Sequence, residues 1–348
     1  MRGMFQKEGS TLAAIACLSS AAWCAAAQPP HSAADAEKGA WLKVSTANFE
    51  LYTTAGEDAG RSLISRFEHL RTVVQPVIAA KVSRRKPVCI IAFRSHDEFQ
   101  AYAPISRSTG FFLPGPRRDF IVLDGPSTET HTAAHEYGHL VMAQSGLRLP
   151  AWLNEGLAEL YSNVEGAQSE PHMMVGRFIP CRVLSLRRDS WIGLTELVSA
   201  SAHSPVFTGA ASVDSAYAQS WLLAHMLVLD PRYAGHFQGL LLALQSAGTA
   251  DAFGMVYGKS VAQVEWDLTG YLEAGQANAR ALDSPLPPTA QPIGVEREAN
   301  FDARLALAEM LGNYLGRGEQ AREEYRQLAC DYPLRPEART GIGENLPR

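Results

Sequence analysis

The feature that most constrains how this chain folds is the string HEYGH, which runs from His135 to His139. It lies in an apolar segment, 128–145, whose spacing predicts a helix. Residues four apart lie on the same face of a helix, so the two imidazoles can converge on one ion. Imidazole nitrogen binds zinc at about 2.0–2.1 Å. The string therefore predicts a helix that carries two zinc ligands.

Glu136 lies beside these histidines, where it can take a proton from an attacking water and pass it to a leaving amine. This assigns it the role of catalytic acid and base. The alternative is a pair of histidines on a helix surface with no metal. The residues that follow the string favour the metal site.

A second helix is predicted at 150–163, because Gly146 can close the first helix and Pro150 can open the next. It carries Glu155 and Glu159, four residues apart on one face. A turn of this length can fold the second helix back across the first and bring Glu155 to the metal. The alternatives are a solvated helix face, or Glu159 as the ligand instead of Glu155.

A catalytic zinc ion takes three protein ligands and keeps one position open for water. His135, His139 and Glu155 supply such a set. Glu159, one turn further on, can accept a hydrogen bond from a ligand histidine and fix its tautomer.

With HEYGH at 135–139 and WLNEGLAE at 152–159, the sequence resembles the gluzincin metallopeptidases, in particular their secreted peptidase-MA-like branch. The resemblance implies a zinc peptidase domain over 41–278, in which Glu136 assists water in hydrolysing an amide bond. Gluzincins often place a Tyr or His from a later helix at the developing oxyanion, and here that residue is Tyr217. A tyrosine packed in a helix interface is the alternative. The chain has no Gly-x-Met-Glu-Asn string, which favours an endopeptidase over an aminopeptidase.

The periodicity of the chain predicts an α+β fold, with a small mixed sheet followed by a mainly helical half. Strands are expected within 41–54, at 87–93 and at 120–124, and helices dominate after residue 128. The loop 104–118 could cover the cleft, and 120–124 could be the edge strand against which a peptide lies. His225 lies among leucines and a methionine and is expected to be a core histidine rather than a ligand.

A proline-rich linker is predicted at 281–297, followed by a helical hairpin at 298–335. With Ala321, Tyr325 and Pro333, the hairpin resembles part of one tetratricopeptide repeat. A single repeat cannot bury its own apolar face, so it is expected to pack on the main domain or on a partner protein.

The N-terminal segment 1–27 has the pattern of a secretory signal peptide, with a basic start, an apolar stretch and small residues up to Ala27. We expect cleavage near Ala27 and export to the periplasm or the medium, with no membrane span in the mature chain. Cys89, Cys181 and Cys330 then remain. Their wide spacing indicates neither a disulfide framework nor a thiolate zinc site, and it is compatible with one bridge.

The formal net charge of −5 and the scattered basic pairs argue against a nucleic-acid partner. The sequence thus predicts an exported zinc peptidase that acts on a peptide or protein. Two other functions are compatible with it. One is a non-catalytic scaffold, zinc-stabilised or metal-free, that recruits a partner protein through its C-terminal helices. The other is a hydrolase of a non-peptide amide such as a cell-wall component.

Overall fold

The computed structural model describes residues 40–78, 86–103, 108–125, 129–164, 172–275, 279–283 and 292–344. The predicted signal peptide, part of the predicted cleft loop and residues 284–291 of the predicted linker lie outside these ranges. The strands are β1 (Leu42–Ser45), β2 (Phe49–Thr53), β3 (Val88–Ala92), β4 (Gly110–Leu113), β5 (Asp119–Leu123), β6 (His172–Val175), β7 (Arg280–Asp283) and β8 (Gly294–Glu296). The helices are α1 (Glu57–Ile78), α2 (His96–Gln100), α3 (Glu129–Ser145), α4 (Ala151–Ser162), α5 (Pro180–Arg188), α6 (Leu194–Ser199), α7 (Pro205–Thr208), α8 (Val213–Leu229), α9 (Pro231–Ala234), α10 (Phe237–Ala243), α11 (Thr249–Tyr257), α12 (Val261–Ala274), α13 (Asn300–Asn313), α14 (Gly318–Asp331) and α15 (Glu337–Glu344).

Six of the described strands form a mixed sheet in the order β4-β5-β3-β2-β1-β8. Strands β2, β3 and β5 are parallel to one another, whereas β4, β1 and β8 join the sheet through antiparallel pairs. Mostly helical segments follow this sheet along the chain. The predicted α+β class is therefore confirmed.

Both faces of this sheet are buried, which explains why its central strands read as continuous apolar runs. Alternate residues point to opposite faces of a strand. Ile90 and Ile121 belong to the core shared with α1, α3 and the helical half. Ile91 and Val122 belong to a second core that includes Leu307 of α13.

The structure corrects the expected edge strand. The predicted edge, 120–124, is β5, which lies inside the sheet between β3 and β4. The edge strand on this side of the sheet is instead β4, which lies within the segment predicted as a loop. A four-residue strand beside Pro114 and Gly115 carries too short a pattern to be recognised from sequence.

The C-terminal helices are built into the molecule. Strand β8, inside the predicted linker, pairs with β1, and β7 pairs with β6. The predicted hairpin is present as α13 and α14, and α13 packs on the sheet, the first of the two expected options. Arg118 of the loop before β5 fixes this packing, because its guanidinium lies 2.6 Å from the Glu309 carboxylate.

In the helical half, α4 packs between α3 and α8. Two glycines permit the close approach. A Cβ at Gly138 would lie 3.1 Å from Ala158 Cα, and one at Gly156 would lie 2.2 Å from the Ser220 carbonyl oxygen. Gly146 ends α3 with a φ of 76°, a conformation that favours glycine, and Pro150 caps α4 as the sequence predicts. These helices therefore meet almost backbone to backbone.

No helix in the described part of the chain is both long and apolar enough to cross a membrane. Among the described residues, Cys89 is buried in β3, whereas Cys181 and Cys330 are exposed. Each of the three is a free thiol.

Candidate metal centre

The structure brings the two sequence motifs together in the interior. Helix α3 supplies His135 and His139, and α4 supplies Glu155, with exposed fractions of 2%, 2% and 4%. Such burial rules out both a solvated helix face and a pair of surface histidines. Polar side chains this deep require partners, and these three are partners to one another.

The three candidate ligand atoms form a nearly equilateral triangle. His135 Nε2 and His139 Nε2 are 3.1 Å apart, and each lies 3.6 Å from Glu155 Oε2. Ligands at zinc–ligand distances in a tetrahedral site are separated by about 3.4 Å. The group could therefore hold a metal ion with little rearrangement.

Glu159 occupies the expected position behind His135. Its Oε2 lies 3.2 Å from His135 Nδ1, on the side of the ring away from Glu155. When the imidazole is neutral, a proton on Nδ1 would face this carboxylate and Nε2 would be left free to bind a metal. Glu159 therefore lies behind a candidate ligand histidine, and Glu155 is the glutamate that faces both imidazoles.

Burial and nearby charged groups shift the pKa values of the cluster in opposite directions. Burial alone would lower the pKa of His135, but hydrogen bonds to Glu155 and Glu159 outweigh it and raise this pKa to about 10. Burial would raise the pKa of Glu155, but His139 and His135 hold it well below its usual range. The site thus concentrates negative charge that a proton or a metal cation can neutralise.

Glu136 is 1% exposed, and its Oε2 has no hydrogen-bond partner among the described residues. Burial raises the pKa of this carboxyl group, while His135, His139 and the backbone of Phe112 act in the opposite direction. Phe112 belongs to the edge strand β4. The Glu136 carboxyl group therefore lies close to both candidate ligand histidines and to the backbone of the edge strand, with one oxygen left without a partner among the described residues.

Tyr217, in the second turn of α8, is 4% exposed and lies against the ligand cluster. Its ring stacks on the His135 imidazole with centroids 6.5 Å apart, and it also contacts Phe207. The structure therefore brings Tyr217 together with the candidate ligands.

Two further polar residues at the site were not predicted from the sequence. Arg182 of α5 donates from Nε to Glu159 Oε1 over 2.7 Å. His131 Nε2 lies 2.8 Å from Ser162 Oγ and 3.7 Å from Glu159 Oε1. His131 could have been found, since it precedes His135 by one helical turn. Nothing in the local pattern around Arg182 indicates its role, because only the tertiary fold brings α5 to α4.

In comparisons with known proteins, no family model matches the chain and no curated protein matches it.

Proposed function

We propose that this protein is an exported, zinc-dependent hydrolase of the gluzincin type that cleaves amide bonds in peptides. The observation that carries the proposal is the partnerless Glu136 Oε2 beside a buried cluster of two imidazoles and a carboxylate. A buried carboxylate oxygen without a partner is unfavourable for stability, and a catalytic role beside a metal site is one explanation for its presence.

Zinc is the proposed metal because the donor set is mixed. Two neutral imidazole nitrogens and one carboxylate oxygen form a ligand set that recurs in catalytic zinc sites, whereas Ca²⁺ and Mg²⁺ prefer oxygen ligands throughout. His135, His139 and Glu155 would hold the ion. When bound, zinc supplies Lewis acidity that polarises a carbonyl and makes a water more acidic.

The protein's own residues supply the proton transfers. Glu136 Oε2 accepts the proton of the attacking water, and the same carboxyl group then gives it to the leaving nitrogen. Tyr217 is the group we assign to donate a hydrogen bond to the developing oxyanion, because its ring stacks on His135. Burial of the cluster excludes bulk water and strengthens both interactions.

The edge strand β4 supports a peptide as the substrate. Its outer side has no neighbouring strand in the described sheet, and Phe112 at its centre is the residue whose backbone interacts with Glu136. An extended peptide added along β4 would pass beside the metal ligands. This arrangement fits a chain cleaved internally, and thus an endopeptidase.

The test replaces Glu136 by Gln, which preserves size but removes the base. We expect the variant to retain zinc, measured by elemental analysis of the purified protein, and to cleave a peptide library about 10²–10⁴-fold more slowly. Glu273→Gln, an exposed carboxylate on α12, is the matched control and should leave turnover unchanged. His139→Ala should lose the metal.

Undiminished turnover by Glu136→Gln with zinc still bound would contradict the role of Glu136 as base. If the wild-type protein bound zinc but turned over no substrate, and Glu136→Gln kept the biological activity, a zinc-stabilised scaffold would be favoured. If peptides are untouched while a cell-wall amide is hydrolysed with chelator sensitivity, the same chemistry acts on a different substrate class.

A further inference from the structure

We propose that Arg182 is a positioning residue for the metal centre, and that it acts through Glu159 and Tyr217 without touching the metal or the substrate. The inference rests on the proposed function only in that it requires a metal ion at His135, His139 and Glu155. Arg182 belongs to α5, outside both sequence motifs.

A closed circuit of contacts links four residues: Arg182, Glu159, His135 and Tyr217. The guanidinium Nε donates to Glu159 Oε1 over 2.7 Å, and Glu159 Oε2 lies 3.2 Å from His135 Nδ1. The His135 imidazole stacks on Tyr217. The Arg182 guanidinium completes the circuit by lying over the aromatic ring of Tyr217, with its carbon 5.8 Å from the ring centroid. Four helices, α3, α4, α5 and α8, each contribute one of these residues.

A charge partner is needed because Glu159 is 2% exposed and Arg182 is 8% exposed. An unpaired carboxylate at that depth would be strongly unfavourable, since its desolvation would not be offset. With Arg182 bound to Oε1, Glu159 is held so that its Oε2 is directed at His135. Arg182 therefore fixes the orientation of the group behind the candidate ligand.

Arginine suits this position better than lysine. Its planar guanidinium can direct a hydrogen bond to a carboxylate and at the same time lie over an aromatic ring. The same side chain thus restrains Glu159, which orients a metal ligand, and Tyr217, which we assign to the oxyanion. The position of His135 Nε2 consequently depends on a residue that no local sequence pattern identifies.

The test measures binding of Zn²⁺ alone to the full-length protein, by competition with a chromophoric chelator, so that substrate and turnover do not enter. We expect Arg182→Met to bind zinc about 10–100-fold more weakly, the effect that loss of partners behind a ligand typically has. Arg182→Lys keeps the charge and should lose less. Arg187→Met removes an exposed charge from the same helix and should leave affinity unchanged.

A double-mutant cycle separates positioning from general damage to the fold. Because Arg182 acts on the metal ligand through Glu159, its loss should have no further effect once Glu159 is replaced. The double variant Arg182→Met/Glu159→Gln should therefore bind zinc no more weakly than the single variant Glu159→Gln. The double variant removes both buried charges together, so it remains measurable if Arg182→Met does not fold. The visible spectrum of the Co²⁺-loaded protein should shift in Arg182→Lys, since it reports ligand geometry.

The inference would be overturned if Arg182→Met bound zinc within about twofold of the wild-type affinity. It would also be overturned if Arg182→Lys did so and its Co²⁺ spectrum were unchanged. Fully additive losses in the cycle would overturn it as well. If the wild-type protein bound no zinc, the proposed function itself would be refuted, and this outcome is separate from the other two.

Discussion

His225 and His135 are both buried histidines, yet their pKa values move in opposite directions. His225 Nε2 lies 2.8 Å from the Gly176 carbonyl and Nδ1 lies 2.8 Å from the Tyr271 hydroxyl. Among the described residues no carboxylate compensates the burial of His225, so its pKa falls to about 4, whereas Glu155 and Glu159 raise the pKa of His135. The expectation that His225 is a core histidine agrees with these contacts. A neighbouring carboxylate therefore decides whether a buried imidazole is neutral or charged.

This difference predicts a pH dependence of stability. The unfolded chain takes up a proton on His225 below about pH 6.5, while the folded protein does so only near pH 4. Between these values the unfolded state binds more protons, so the contribution of His225 to the free energy of unfolding falls as the pH falls. The loss is about 1.4 kcal/mol per pH unit, about 3 kcal/mol in all.

Chemical denaturation at a series of pH values measures this loss. His225→Gln should flatten the pH profile between pH 6.5 and 4, whereas the exposed His203→Gln should keep the wild-type profile. A profile for His225→Gln as steep as that of the wild type would rule out His225 as the cause.

Single residues of the centre were predictable wherever one helix fixes their spacing. His135 and His139 need only the helical repeat, and Glu155 needs one short turn more. Arg182 needs the packing of α5 on α4, and Glu136 Oε2 could be recognised as partnerless only once its surroundings were known. Local geometry is written in the sequence, whereas contacts between distant segments depend on the whole fold.

At the scale of elements, the centre depends on how closely α4 approaches α8. Gly156→Ala would place a methyl group 2.2 Å from the Ser220 carbonyl oxygen, which is backbone and cannot yield. We expect the helices to separate, with a loss of about 1–3 kcal/mol in the free energy of unfolding. Glu155 is adjacent in sequence, so zinc affinity should fall as well.

Thermal denaturation and chelator competition test this prediction together. Gly270→Ala, inside α12, is the control, because nothing lies within 4 Å of its added methyl group. It should stabilise the protein by about 0.5–1 kcal/mol. Equal stability changes in the two variants would show that close helix approach has no part in the centre.

Elements with long, regular patterns were predictable, and short ones were not. The sequence indicates α3 and α4 to within about one residue at each end. It misses β4, whose four residues show neither alternation nor length, and it places β5 at the edge. Which strand is outermost depends on pairing between segments far apart in the chain, a property that no local window contains.

At the scale of the whole molecule, the C-terminal helices complete a core rather than extend from it. Leu311 of α13 is fully buried in the core beneath the sheet, whereas Leu315, four residues later, is 77% exposed. We expect Leu311→Ala to lower the free energy of unfolding by about 2–5 kcal/mol. Leu315→Ala should have almost no effect.

Calorimetry decides whether this effect reaches the whole protein. Because α13 packs on the sheet, Leu311→Ala should lower the temperature of one cooperative transition, and zinc bound at the proposed centre should be released at that same lower temperature. Two separate transitions, with zinc release unshifted, would mean that the C-terminal helices fold independently.

Strand β1 is held between β2, which follows it directly, and β8, which comes near the end of the described chain. Just before β1, the Trp41 amide donates to the Asn300 side chain across 259 positions of sequence. Such distant pairing is slow to form, because a very large loop must close first. Synthesis must therefore continue past β8 before this border of the sheet can close, so products that stop earlier lack its final strand.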